Sequence, residues 1–66
     1  MKNTIKVERA ILDLTQEELA KAIGVSRQTI SSVEKNRYVP STVLALKMSK
    51  LFDKPVNAFF TLTEED

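Results

Sequence analysis

Residues 15–36 constrain the fold of this 66-residue chain more than any other segment, because they carry the start and stop signals of two consecutive helices. Thr15 and Glu18 have the spacing of a capping box, in which each side chain bonds to the backbone N–H of the other residue. Gly24 can take the left-handed conformation that ends a helix, and Ser26 is a favourable N-cap for the next one. The sequence therefore predicts two short helices joined by a tight turn.

The second of these helices is amphipathic. At about 100° per residue, Ile30 and Val33 lie on one side of it. Five polar residues share the other side: Arg27, Gln28, Ser31, Ser32 and Lys35. Arginine can pair with guanine, glutamine with adenine, and serine with either kind of base edge. Any amphipathic helix has a polar outside, but after a capped helix and a glycine turn this one favours a helix-turn-helix that enters a DNA major groove. We expect Arg27, Gln28, Ser31 and Ser32 to contact bases.

Charge is segregated along the chain, although the net charge is only +1. Residues 1–26 are balanced, residues 27–54 carry six cationic and two acidic side chains, and the last three residues are acidic. The basic surplus begins on the amphipathic helix and continues into the loop after it, as expected for contact with phosphates. We expect phosphate contacts from Lys35, Asn36, Arg37 and Tyr38.

Composition excludes several classes of protein. The chain contains no cysteine and no histidine, which excludes disulfides and the usual zinc sites, and we find no catalytic constellation. We therefore expect no enzymatic activity, no metal, no cofactor and no small-molecule ligand. No apolar run approaches the roughly 20 residues of a membrane span, so we expect a cytoplasmic protein without a membrane partner. The length corresponds to a single domain over residues 1–66.

The remaining segments predict supporting helices. We expect a first helix over residues 4–14, with Ile5, Ile11 and Leu12 as core candidates and Val7 less clearly so. A proline–serine pair favours a fourth helix over residues 41–52, and Pro55 favours a short fifth helix that ends near residue 60.

Residues 60–63 have the alternation of a short strand. Because an isolated strand is unstable, we expect these residues to pair with residues 1–4, the only free extended segment of the chain.

The fourth helix has more apolar surface than one core requires. Ala45, Leu46, Met48 and Phe52 fall on one side of a helical wheel with Thr42, whereas Leu44, Leu51 and Val43 fall away from them. The second set could pack on the fifth helix of the same chain, but we favour a symmetric dimer interface. The residues expected in that interface are Leu44, Leu51, Phe59, Phe60 and Leu62. Two recognition helices related by a two-fold axis would read half-sites about 34 Å apart.

Residues 14–36, from Leu14-Thr15-Gln16-Glu17-Glu18-Leu19-Ala20 to Glu34-Lys35-Asn36, and the Pro40-Ser41 pair after them resemble the Cro/C1-type (XRE-like) helix-turn-helix family. The resemblance covers about residues 5–60, with the motif at residues 16–35. It implies an all-α, five-helix lambda-repressor-like fold. Among its members, the chain is most similar to the very small dimeric ones such as the cytolysin repressor, in which the chain ends form a two-stranded antiparallel sheet.

The resemblance also implies roles for individual residues. Gln16, Ser26 and Asn36 match family positions that contact phosphate. Arg27, Gln28 and Ser32 match positions that face bases, and Arg9 and Glu34 match a structural ion pair. The implied function is sequence-specific binding of double-stranded DNA by a homodimeric repressor with a short palindromic operator. The alternative is a protein-interaction module on the same fold, such as an antitoxin or a transcription adaptor.

Overall fold

The computed structural model describes residues 1–66, which form four α-helices, one 3₁₀ turn and a two-stranded sheet. In chain order the elements are β1 (Lys2–Asn3), α1 (Ile5–Ile11), α2 (Gln16–Ile23), α3 (Arg27–Glu34), α4 (Thr42–Phe52), the 3₁₀ turn (Val56–Ala58) and β2 (Phe60–Thr61). The strands are antiparallel, with Lys2 opposite Thr61 and Asn3 opposite Phe60. None of the helices is both long and apolar enough to cross a membrane.

The chain ends pair as predicted, but the fifth helix does not form as an α-helix. Its segment makes only the three-residue 3₁₀ turn after Pro55. The next two residues, Phe59 and Phe60, turn their rings into the core, and Phe60 already belongs to the sheet. The segment therefore has too few residues left for an α-helix between Pro55 and β2.

Local signals fix the ends of α2, α3 and α4. The Thr15 hydroxyl accepts from the Glu18 N–H and the Glu18 carboxylate accepts from the Thr15 N–H, both at 3.0 Å, so the predicted capping box is present. Gly24 ends α2 with φ of 75°. The hydroxyls of Ser26 and Ser41 cap α3 and α4 by accepting backbone N–H groups at 3.1 and 3.2 Å.

Every α-helix contributes to one small hydrophobic core. Its buried members are Ile5, Leu19, Ala20, Ile23, Ile30, Val33, Leu44, Met48, Phe52, Phe59 and Phe60. The rings of Phe52 and Phe59 pack edge to face with centroids 5.0 Å apart. Such pairs add roughly 0.5–1.5 kcal/mol to the burial of the rings themselves.

The predicted core positions of α1 are wrong except for Ile5. Ile11 is 62% exposed, and Val7 and Leu12 are exposed as well. Ile11 lies about 120° from Ile5 around the helix axis, so both residues cannot face the core. Leu12 would share the face of Ile5, but α1 ends before it and Asp13 turns the chain with φ of 56°.

The buried face of α1 carries an acidic residue instead. Glu8 is almost fully buried, and its carboxylate lies 2.8 Å from the Lys54 ammonium, just beyond α4. This ion pair joins α1 to the end of α4.

The expected interface residues are largely internal. Leu44, Phe59 and Phe60 are buried in the core of the chain itself, so a single chain does not expose them as the sequence analysis expected. Leu51 is half-buried and packs against that core, and only Leu62 is exposed. The physical reason is the small size of the chain, which includes Leu44, Phe59 and Phe60 in its single core of 11 buried residues.

The helical wheel also assigned Leu46 to the wrong face of α4. Leu46 was grouped with Met48, yet Leu46 is 58% exposed while Met48 is fully buried. Two residues apart on a helix are about 200° apart around its axis, so they belong on opposite faces.

Candidate nucleic-acid interface

The exposed face of α3 carries the candidate base-contacting residues. Arg27 and Gln28, in the first turn, are exposed, and Ser31 and Ser32 on the next turn are half-buried. Neither Arg27 nor Gln28 makes a side-chain hydrogen bond within the protein. Their donors and acceptors are therefore free for an external partner, while Ile30 and Val33 anchor the other face of the helix in the core.

A shallow depression joins this face to the loop after α3. Its lining consists of Ser26, Gln28, Thr29, Ser32, Arg37 and Tyr38. The structure thus brings together residues that the sequence analysis assigned separately to bases and to phosphates. The Ser26 hydroxyl caps α3 and also shares a 2.9 Å hydrogen bond with the Thr29 hydroxyl, so it is already engaged within the protein.

An ion pair fixes α3 relative to α1. Arg9 Nε lies 2.7 Å from Glu34 Oε2, Arg9 Nη2 donates to Glu34 Oε1 at 3.1 Å, and Arg9 Nη1 donates to the Leu14 carbonyl at 3.0 Å. The pair is bidentate, which fixes direction as well as distance. Both side chains are largely buried, with 14% and 10% of their surfaces exposed. The last turn of α3 therefore cannot rotate without breaking buried charge contacts.

Gln16 is tied to the same ion pair. Its side-chain amide donates to Glu34 Oε1 at 3.2 Å, which places the first residue of α2 beside the last residue of α3. Gln16, Arg9 and Glu34 line a polar hollow together with Asn3, Lys6 and Lys35. Two of the lining residues, Lys6 and Lys35, are exposed cations without an ion-pair partner.

Lys6 is a candidate contact that the sequence analysis missed. It precedes Arg9 by three residues and so lies on the same side of α1. This spacing was visible in the sequence once Arg9 was placed beside α3, and it could have identified Lys6 as a cation next to Gln16.

The C-terminal end of α3 forms a complete capping motif. Asn36 takes the left-handed conformation with φ of 60°, its N–H donates to the Val33 carbonyl at 3.0 Å, and the Arg37 N–H donates to the Ser32 carbonyl at 2.9 Å. These two bonds define a Schellman motif. The motif fixes the path by which Asn36, Arg37 and Tyr38 leave the helix.

Most of the cations near α3 carry uncompensated charge. The structure contains three ion pairs, and none of them uses Arg27, Lys35 or Arg37. A surface with several unpaired cations around exposed hydrogen-bond donors attracts a polyanion.

One carboxylate of the motif has a shifted pKa. The pKa of Glu18 lies below its ordinary value of 4.5, chiefly because the carboxylate accepts the Thr15 backbone N–H and secondly because of its bond with the Thr15 side chain. This shift belongs to the cap of α2 and does not bear on contact with a ligand.

Comparison with known proteins gives one consistent result. The chain matches the helix-turn-helix family over residues 5–59. It is 47% identical to an uncharacterized HTH-type transcriptional regulator of Methanocaldococcus jannaschii and 46% identical to the uncharacterized HTH-type transcriptional regulator YgzD of Bacillus subtilis, and each alignment covers both chains completely.

A phage protein shows a more limited similarity. The ImmF control region 10 kDa protein of Bacillus phage phi105 is 40% identical over 53 residues, which span 80% of this chain and 59% of the phage protein. The match to the family covers the four helices and the 3₁₀ turn, together with the capping box, the glycine turn and the Arg9–Glu34 pair. The chain therefore belongs to the XRE-type helix-turn-helix family.

Proposed function

We propose that this protein is a sequence-specific, double-stranded DNA-binding transcriptional regulator that acts as a homodimeric repressor at a short palindromic operator. The observation that supports this most is the exposed face of α3, whose Arg27 and Gln28 have no partner in the protein while the buried Arg9–Glu34 pair holds the helix in place. A helix fixed in this way presents its first turn to a groove without losing much conformational freedom on binding.

The base contacts belong to Arg27, Gln28, Ser31 and Ser32. Arg27 is suited to bidentate donation to guanine O6 and N7, and Gln28 to adenine N6 and N7. The two serines lie one turn further along the helix and are half-buried. Because their side chains are short, they can contact only bases that lie close to α3.

The phosphate contacts belong to residues on both sides of that face. Arg37 and Tyr38 leave the Schellman motif beside the depression that contains Gln28, and Lys35 and Gln16 line the polar hollow on the other side. Ser26 and Asn36 complete this set at the two ends of α3. Contacts of this kind set the register of the protein on the duplex and contribute little to sequence preference.

The dimer surface is an apolar groove, defined by residues of the α3–α4 loop, α4, the 3₁₀ turn and the terminal sheet. Its lining consists of Met1, Val39, Pro40, Thr42, Ala45, Leu46, Val56 and Phe60. Val39 is 72% exposed and Leu46 58% exposed, so the rim of this apolar groove carries hydrocarbon surface that a lone chain leaves in water. A second copy would cover it and supply the second recognition helix that a two-fold symmetric operator requires.

Repression is proposed because a small regulator bound at an operator blocks access of polymerase to the promoter. The resemblance to small repressors supports this direction of control. A reporter gene with the selected site across its promoter should be transcribed less when the protein is present, and increased transcription would contradict repression.

Selection of bound sequences from random duplex DNA tests the function as a whole. We expect enrichment of a two-fold symmetric site with half-sites about one helical turn apart. Affinity for that site should fall steeply as salt rises, because cations on the protein release counterions from the phosphates. Salt-insensitive binding to a protein partner without affinity for DNA would contradict the proposal and favour the interaction module.

A pair of matched variants tests the dimer surface. Leu46→Glu places a charge on the rim of the apolar groove, whereas Ile11→Glu places the same charge at an equally exposed leucine-sized residue on α1. Sedimentation equilibrium should show a monomer for Leu46→Glu and an unchanged dimer for Ile11→Glu. Equal effects of the two variants, or a monomeric parent protein, would contradict this location of the interface.

A further inference from the structure

The side chain of Asn3 connects the terminal sheet to the end of α3. Its Oδ1 accepts the Ile5 N–H at 3.2 Å, while its Nδ2 donates to the Val33 carbonyl at 3.0 Å and to Asn36 Oδ1 at 2.9 Å. A longer contact of 3.4 Å joins Nδ2 to the Glu34 carbonyl. Asn3 therefore bonds to three residues that lie 30 or more positions away in the sequence.

These partners allow one orientation of the Asn3 amide. The Ile5 N–H can only donate, and the carbonyls of Val33 and Glu34 can only accept. A flipped amide would put oxygen against carbonyl oxygens and nitrogen against an N–H, so every bond would be lost. In the observed orientation Asn3 also supplies the Glu34 carbonyl with a donor, which the Schellman motif of α3 leaves without one.

The contact with Asn3 determines what Asn36 can offer to a ligand. Because Asn36 Oδ1 accepts from Asn3, the Asn36 side chain cannot flip without losing that bond. Its Nδ2 makes no hydrogen bond within the protein, so both N–H donors remain free. Phosphate oxygens accept hydrogen bonds and cannot donate them, so only this orientation of Asn36 suits a phosphate.

We infer that Asn3 is a positioning residue for DNA binding, which orients the Asn36 amide so that its NH₂ group donates to a backbone phosphate at the end of the recognition helix. The inference rests on the proposed function. It assigns Asn3, a residue of β1, an effect on DNA binding although Asn3 itself does not contact the DNA. It also gives the terminal sheet a role in recognition, since the pairing of Asn3 with Phe60 holds the amide in place.

A double-mutant cycle tests the inference, with Asn3→Ala, Asn36→Ala and the combined variant titrated against the selected DNA site. Each single change should weaken binding about tenfold, because Asn36→Ala removes the proposed hydrogen bond to the charged phosphate and Asn3→Ala removes the contact that orients its donor. The combined variant should bind about as weakly as either single variant, since the second change has nothing left to remove. The titrations are made at a temperature where circular dichroism shows each variant fully folded.

Asn3→Asp provides a second variant in case the alanine change unfolds the chain. It keeps the acceptor for Ile5 N–H and loses the donors to Val33 and Asn36. Its matched control is Asn57→Asp, which makes the same charge change at an exposed residue of the 3₁₀ turn. We expect Asn3→Asp to weaken binding about tenfold more than this control.

The outcomes distinguish failure of this inference from failure of the proposed function. If the native chain binds DNA and the two alanine changes multiply to about a hundredfold loss, Asn3 does not act through Asn36 and the inference is overturned. An unchanged affinity of Asn36→Ala, or equal effects of Asn3→Asp and Asn57→Asp, would overturn it as well. A native chain that binds no duplex DNA would overturn the proposed function together with the inference.

Discussion

Two surfaces of this small protein present unpartnered groups, and they differ in the chemistry of those groups. On the exposed face of α3 that is proposed to contact bases, called here the recognition face, Arg27 and Gln28 leave hydrogen-bond donors without protein partners. In the apolar groove, Val39 and Leu46 leave hydrocarbon exposed to water. The first surface suits a polar, charged ligand, and the second suits an apolar partner such as a second copy.

The two surfaces also differ in how they are held. The recognition face is fixed by buried polar contacts, chiefly the Arg9–Glu34 pair and the hydrogen bonds at the two ends of α3. The apolar groove is held by hydrophobic packing: of its lining residues, Phe60 belongs to the core and Ala45 packs against it. Removing a buried polar contact of the recognition face should therefore lower the free energy of unfolding more than removing a residue from the rim of the apolar groove.

The largest effect should come from Glu34→Ala. The change leaves the buried Arg9 guanidinium without its carboxylate and removes the acceptor of Gln16, so we expect the free energy of unfolding to fall by about 3–5 kcal/mol. Urea titration measures it, with the exposed Glu17→Ala as the matched control. A loss as small as that of the control would show that polar contacts do not hold the recognition face.

A smaller effect should separate two leucines on α4. Leu44→Ala opens a cavity in the core and should cost about 2–5 kcal/mol of unfolding free energy at any protein concentration. Leu46→Ala removes only exposed surface, so its cost should depend on protein concentration and vanish where the protein is monomeric. Urea titrations at two concentrations distinguish the two cases. If both variants lose the same unfolding free energy at every protein concentration, Leu46 belongs to the core and the apolar groove is not the dimer surface.

The smallest effect should be a pH dependence confined to the cap of α2. The pKa of Glu18 is lowered in the folded protein. The stabilising contribution of Glu18 is therefore fully present above about pH 4.5, the ordinary pKa, and is lost as the pH falls through the lower pKa of the folded state. Unfolding free energies at about pH 6 and about pH 3 should differ less for Glu18→Gln than for the parent. The Ser41 cap of α4 uses a hydroxyl, which does not titrate, and the amide resonance of Leu44 should not move with pH. The amide resonance of Thr15, whose N–H donates to the Glu18 carboxylate, should shift over the same pH range. A Leu44 amide resonance that shifts with pH in the same way would show that the pH dependence is not confined to the cap of α2.

The sequence predicted the recognition motif well because its signals are local. The capping box, the glycine turn and the serine caps each depend on residues within about four positions, and the backbone geometry at all of them agrees with the prediction. The pairing of the chain ends was also predicted, because only one segment could pair with β2. Roles toward DNA remain proposals, since they depend on a ligand.

The rest of the fold could not be predicted for reasons of tertiary packing. On α4 both faces are apolar, so a helical wheel cannot decide whether Leu44 or Leu46 faces the core; the tertiary packing buries Leu44 and leaves Leu46 exposed. Glu8 gave no signal of burial, because its partner Lys54 lies 46 positions away. Asn3 likewise acts on residues more than 30 positions away, which no local pattern indicates.

The most direct test compares Arg27→Ala and Arg37→Ala on the selected operator and on random duplex DNA of the same length. If the recognition face of α3 contacts bases, Arg27→Ala should cost about 1–3 kcal/mol on the operator and much less on random DNA. Arg37→Ala should weaken both by a similar factor, as expected for a phosphate contact. Equal losses on operator and random DNA for Arg27→Ala would contradict the assignment of α3 as the element that determines sequence preference.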